Sequence, residues 1–287
     1  MSRSVRWRVA LLSILIAVPA GSDPAAAQPA GEFMTLDRAD HESRAGLFFG
    51  LLHIEDSDVD EGALRLELHG QHVTPSGLGG YIAVPIHMIV LNDGGDDETA
   101  LGGIELGGVL ARGLGPGQEV ALRAGLVLPT AEGDDFQEFL VSLFAVQARL
   151  TDIVQAIPET SSLRLGGSLL GSVPGLVYRV DGGLDLPLFT TLEGAEIDHE
   201  PVVRLNGAVG LGLGLGTLAF ELVNLLVTEG EDGDFGDRSF TNAGVSLGVA
   251  LASLRVQGGF FLSVDSVLEE DADEGLITFA AGAATSW

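Results

Sequence analysis

Residues 64–71 read Leu-Arg-Leu-Glu-Leu-His-Gly-Gln, and this stretch decides the fold. Leu64, Leu66 and Leu68 fall on one side of an extended chain; Arg65, Glu67, His69 and Gln71 fall on the other. A helix would space its charges by three and four residues, whereas a strand spaces them by two. The same period returns along the chain. Arg179, Asp181 and Asp185 alternate with Tyr178, Val180, Leu184 and Leu186. Arg204 and Asn206 alternate with Val203, Leu205, Val209 and Leu211, and Arg255 and Gln257 with Leu254 and Val256. Elsewhere the polar face is small, as at Gly103, Glu105 and Gly107, Arg123 and Gly125, and Arg164, Gly166 and Ser168.

The pattern predicts strands at about 44–54, 63–73, 79–91, 99–111, 119–129, 162–172, 176–188, 201–213, 217–227, 240–250, 253–264 and 275–287. The first alternates poorly. Mean hydropathy is +0.35, yet the net charge is −27 from 41 acidic and 14 basic residues, all of the latter Arg. Both hold because the two kinds of residue are segregated. Connections such as 74–78, 112–118, 173–175, 214–216 and 251–252 are short and mostly rich in Gly or Pro. Those between them, at 55–62, 92–98, 130–161, 189–200, 228–239 and 265–274, are long and carry 30 of the 41 acids. Short turns at one end and long loops at the other are the habit of an outer-membrane barrel. The expected fold is therefore all-β: a transmembrane antiparallel barrel of about 12 strands, within a range of roughly 10–14.

The ends of the chain fit this. Arg3, Arg6 and Arg8 precede an apolar run from Val9 to Val18, and Ala25-Ala26-Ala27 stands before Gln28. Ten apolar residues are too few to span a bilayer as a helix, so 1–27 reads as a signal peptide. Residues 28–43 read as an N-terminal periplasmic segment and 44–287 as the barrel. Counting back by two from Trp287 gives Thr285, Ala283, Ala281, Phe279 and Ile277. A terminal aromatic on such a strand resembles the assembly signal of bacterial outer-membrane barrels. Gly125-Leu126-Val127-Leu128-Pro129-Thr130 also resembles a strand-end motif of barrels linked to the meta-pathway of phenol degradation. That resemblance implies transport of small, often aromatic, compounds.

The parity turns Arg65, Glu67, Glu105, Glu119, Arg123, Arg164, Arg179, Asp181, Asp185, Arg204, Glu221 and Arg255 inward, as the expected pore-lining set. Six are cationic and six anionic. They could pair and fill the lumen, or they could form opposed walls of a polar channel. Within 131–161, Phe136, Phe139, Leu140, Leu143, Phe144 and Leu150 recur at helical spacing, with Gln147, Arg149, Asp152 and Gln155 on the other side. An amphipathic helix is expected there, possessing a break near Thr151. The simpler expectation is a lid on the barrel mouth or outer leaflet; the other is a gate or plug inside it.

No catalytic pattern stands out. His41-Glu42-Ser43 lies ahead of the barrel, and HExxH and GxxxxGK[ST] do not occur. Acidic runs such as Asp93-Gly94-Gly95-Asp96-Asp97 have oxygen chemistry suited to loosely bound Ca²⁺ or Mg²⁺ but no EF-hand pattern. The charge argues against nucleic acid. The expected partners are outer-membrane lipid, the assembly machinery and a small solute. The expected function is a narrow channel or transporter. A non-conducting structural or surface-binding barrel, and a membrane-embedded hydrolase, are the alternatives.

Overall fold

The computed structural model describes residues 33–55, 60–91, 98–131, 142, 145–192, 195–196, 200–214, 216–228, 239–264 and 277–287. Its strands are β1 (Arg44–Glu55), β2 (Asp60–Val73), β3 (Leu78–Leu91), β4 (Glu98–Leu101), β5 (Glu105–Gly115), β6 (Gln118–Val127) and β7 (Thr160–Val173). They continue as β8 (Leu176–Leu192), β9 (Ala195–Glu196), β10 (Val202–Leu213), β11 (Gly216–Val227), β12 (Ser239–Leu251), β13 (Leu254–Ser263) and β14 (Ile277–Ser286).

Each long strand pairs antiparallel with its neighbour in sequence. β14 returns to β1, with Arg44 facing Ser286 and His53 facing Ile277. β8 pairs directly with β10, and β9 is a two-residue extension against β8. β4 and β5 both lie along β3 and share one place in the ring, interrupted at 102–104. The ring thus has twelve places and closes on itself. Closure leaves no unpaired edge, which is what hydrocarbon demands of a sheet. The poorly alternating first stretch is a strand because β14 and β2 pair with it on both sides. At the short-turn end Gly117 and Gly175 take φ of +69° and +80°. This is the left-handed region that tight hairpin turns require.

The two faces differ as the period-two pattern demands. Leu68, Leu122, Leu169, Leu205, Val209, Phe220, Val245 and Phe279 are exposed on the outside. So continuous an apolar exterior suits lipid. Arg65, Glu67, Arg164, Asp185 and Glu221 are buried inside. The interior is not polar throughout: Phe48, Leu52, Phe261, Val223 and Leu225 also point inward and are buried. This explains the weak alternation of β1, where both faces carry apolar residues.

Val209 lies outward near the middle of β10, facing Phe220 and Tyr178 across the sheet. Val209→Arg is expected to cost about 2–4 kcal/mol of unfolding free energy in lipid vesicles. Reversible urea unfolding followed by tryptophan fluorescence would measure it.

Candidate functional site

The interior of the ring is occupied by two pieces of the chain. The first is residues 33–43. They precede the barrel in sequence and were expected in the periplasm; instead they lie within it. Met34 and Thr35 donate their backbone N–H groups to the Glu221 carboxylate at 2.9 and 2.8 Å, and the Thr35 hydroxyl donates to it at 2.7 Å. Asp37 donates its N–H to Asp181 at 3.0 Å. The Asp37 carboxylate accepts from Arg204 at 2.9 Å and faces Arg123 at 3.0 Å. Arg38 pairs with Glu67, and Arg179 donates to the Ala39 carbonyl at 3.1 Å. Gln71 donates to the carbonyls of Asp40 and Glu42 at 3.1 and 2.9 Å. Phe33 and Leu36 pack among Val177, Ala208, Ala219 and Val223. The physical reason is the charged run from Asp37 to Arg44: its charges find partners on the inward strand faces that water alone would otherwise have to solvate.

The second piece is a kinked 3₁₀ helix, η1 (Gln147–Gln155), with non-helical dihedrals at Arg149 and Asp152. All its residues but Ile153 are buried. The expected lid on the mouth or leaflet therefore does not describe this part of the loop. Gln147, Arg149, Asp152 and Gln155, read from periodicity as the side opposite the apolar stripe, are the residues that hold it within the lumen. Asp152 meets Arg65 at 3.2 Å, Arg149 at 2.6 Å and Arg164 at 3.0 Å. Gln155 accepts from Arg65 at 2.8 Å and donates to Glu105 at 2.9 Å. Asn242 donates to the Gln147 carbonyl at 3.0 Å. Leu150 is buried with Phe33 and Leu36. Phe136, Phe139, Leu140, Leu143 and Phe144 lie outside the described residues, as do residues 1–32 and the acidic runs at 92–97 and 232–234.

The two pieces clasp each other. Arg149 donates to the carbonyls of Met34 and Leu36 at 2.8 and 2.9 Å, and Thr151 donates to that of Thr35 at 3.0 Å. The bonds that hold residues 34–40 in place, among the described residues, all involve a side chain on one partner. None is a strand ladder.

The expected pore-lining residues turn inward, and among the described residues they are engaged with one another or with the two inserts. Arg65 pairs with Glu67, Arg179 with Asp181 at 2.7 Å, and Arg204 with Asp185 at 3.0 Å. Arg164 lies between Glu105 at 2.6 Å and Asp185 at 3.1 Å. Glu119 pairs with His41, Glu221 is bound by residues 34–35, and Arg255 is 3.8 Å from Glu42. Beside Arg38, Arg44, Tyr81 and Arg123 a cavity of ≈ 40 Å³ remains. That is room for about three waters. Asp37, Arg38, Arg149, Asp152 and Gln155 were missed as functional residues. Their signal was a charged run ahead of the barrel and charged positions inside an otherwise apolar loop.

Burial alone would raise the Asp37 pKa, but Arg123, Arg204, Arg164 and Arg179 outweigh it and hold the carboxyl well below its usual value. Asp152 is likewise held low, burial being outweighed by Arg149, Arg164 and Arg65. His41 is raised, first by its hydrogen bond to Glu119 and against its partial burial.

No family model matches the sequence, and no curated protein matches it significantly. Solved structures do. An outer-membrane channel from Pseudomonas putida F1 superposes with a TM-score of 0.64 at 13% identity, covering 88% of this chain and 100% of its own. The NanC porin superposes with a TM-score of 0.50 at 10% identity, covering 86% of this chain and 99% of its own. The fold is that of the bacterial outer-membrane β-barrels. In this barrel the ring and its outward apolar face are what that fold requires of a sheet, and the filling is made by Asp37, Arg149 and Asp152 with their wall partners.

The docking of residues 33–43 is expected to be bracketed by pH. Asp37 has a lowered folded pKa, so its contribution is full above the unfolded value near ~3.9 and is lost as pH falls below it. The stability margin of wild type over Asp37→Asn should be constant above about pH 5 and shrink on acidification. His41 is raised, so the margin of wild type over His41→Gln is full below about pH 6.5 and fades as pH rises beyond its folded value. Unfolding midpoints in detergent across pH 3–9 test both slopes. The opposite slope for either variant contradicts the pairing.

Proposed function

We propose that this protein is a channel or transporter for small solutes across the outer membrane, held shut in this state by residues 33–43 and η1. The observation that carries the reading is the separation of two bonding systems. The ring closes through backbone ladders alone. Residues 34–40 are attached through side chains, so they can leave without opening a single strand pair. The wall they would uncover is lined with both signs of charge, which suits passage of a hydrated polar or ionic solute. The similarity to a protein described as an outer-membrane channel is in keeping with this. The acidic loops read from the sequence would enrich cations at the outer mouth.

A second reading is favoured by one specific observation. Phe33, Leu36 and Leu150 are buried together against Val177, Val223 and Leu225. Such packing would suit a permanently filled, non-conducting barrel. The hydrolase alternative gains no support from the Ser43–His72 approach. That hydroxyl is 3.3 Å from His72 but is also engaged with both the N–H and the carbonyl of Val73.

Planar-bilayer recordings separate the two readings. Wild type is expected to open rarely. Deletion of residues 33–41 should raise the open fraction at least tenfold, and Arg149→Met, which cuts the clasp to Met34 and Leu36, should raise it less. A folded deletion variant that never conducts would leave the filled structural barrel as the function.

A further inference from the structure

One row of the barrel wall is built to hold a carboxylate. Arg123 faces Gly166 across β6 and β7, Gly166 faces Gly183 across β7 and β8, and Gly183 faces Arg204 across β8 and β10. Two arginines therefore flank two glycines in register. Their Cα atoms span three strand spacings, about 14 Å, and both guanidiniums lean inward over the glycine pair. The glycines make this possible. A Cβ at Gly183 would stand 2.7 Å from the Arg204 guanidinium carbon, and one at Gly166 would press on Arg123 at 3.3 Å. A Cβ at Gly166 would also reach 3.4 Å from Oδ2 of Asp37, the carboxylate now lying over the pair. Planar forks converging on two oxygens are the geometry for which Arg is suited.

The charge count says how much charge the cradle takes. Arg164 has Glu105 and Asp185 on the wall, Arg179 has Asp181, and Arg204 has Asp185. Arg123 differs. Its ion pair among the described residues is with Asp37, which does not belong to the wall. Its side chain is 7% exposed, and its Nε and Nη2 make no hydrogen bond. Without Asp37 the four wall arginines Arg123, Arg164, Arg179 and Arg204 share three wall carboxylates, Glu105, Asp181 and Asp185, an excess of one buried cation that a single negative charge relieves. Phosphate dianion would overcharge it. Chloride has one acceptor centre where Asp37 offers a separate oxygen to each arginine.

We infer that the Arg123–Gly166–Gly183–Arg204 row is a binding site for the carboxylate of a small organic monocarboxylate, and that the chain's own Asp37 occupies it in the shut state. Asp37 thus acts as a tethered competitor: a solute carboxylate and the N-terminal segment exclude each other. The inference deepens the channel reading and rests on it for the identity of the site as a solute subsite. Binding itself requires no conduction.

The test is chemical replacement of the Asp37 side chain in the full barrel, folded in detergent. Thermal unfolding of Asp37→Gly is followed with added sodium formate or acetate, against sodium chloride and phosphate at matched ionic strength. Formate and acetate are expected to raise its midpoint by roughly 2–4 °C, increasing with the logarithm of concentration. Chloride and phosphate should add less than half of that. Wild type, with the site filled, should not distinguish the salts, and Asp37→Gly/Arg123→Gln should lose the response. If the glycine variant does not fold, Asp37→Ser serves in its place. The inference is overturned if the folded variant ignores carboxylates, if all four salts act alike, or if wild type or the Arg123 double variant responds as strongly. The channel reading fails separately. A barrel that binds acetate but never conducts keeps the cradle and loses the channel. One that conducts and ignores acetate does the reverse.

Discussion

Everything inside this barrel follows from the need to neutralise buried arginine. Arg65, Arg164, Arg179 and Arg204 are each almost wholly buried. An unpaired charge in that setting would cost several kcal/mol, and removing one partner of a buried pair commonly costs about 3–5 kcal/mol. The wall supplies part of the compensation through Glu67, Glu105, Asp181 and Asp185. The remainder comes from chain that is not wall, namely Asp37 from before the first strand and Asp152 from the long loop. The interior is thus incomplete as a ring and complete as a ring with its two inserts.

This division shapes how the molecule can move. The hoop is a cooperative backbone structure in which each of the twelve places is paired with its two neighbours. The inserts are held by side-chain bonds, by ion pairs and by apolar clusters around Leu36 and Leu150, Ala39, and Met34 and Ala148. Arg149 and Thr151 then join insert to insert through the backbone carbonyls of Met34, Thr35 and Leu36. A disturbance of the loop is therefore felt by the N-terminal segment. The bonds between them are few, so the coupling is local and breakable.

Apolar residues on the inner face are as informative as the charges. Phe48 and Phe261 pack with Met34 and Ala148, so one side of the lumen accepts the inserts by burial. Ala39 packs among Val73, Val109, Ala121 and Leu170, and the charges of β2, β6, β8, β10 and β11 hold the same inserts by ion pairs and hydrogen bonds. An interior that offers apolar patches and charges at fixed places gives each insert a defined orientation. This is also why period-two reading is clean on β2 and β10 and indistinct on β1, where Phe48 and Leu52 face inward beside outward Leu47 and Phe49.

The sequence by itself determined the ring. Alternation in stretches such as 64–71, and long acidic connections alternating with short ones, are local signals, and a period of two is fixed by strand geometry wherever the strand lies. That was enough for twelve strands and for the inward set from Arg65 to Arg255. It was not enough for the filling. Asp37 meets Arg204 across 167 positions of chain, and Arg149 meets Met34 across 115, so no window of sequence contains either pair. The periodicity of 131–161 put Arg149 and Asp152 opposite the apolar stripe but not what that side would face, because a helical wheel cannot know that a charged lumen awaits them. Register decided the rest. Arg123, Gly166, Gly183 and Arg204 are scattered over 82 residues, and it is the hydrogen-bond ladder of four neighbouring strands that draws them into one row.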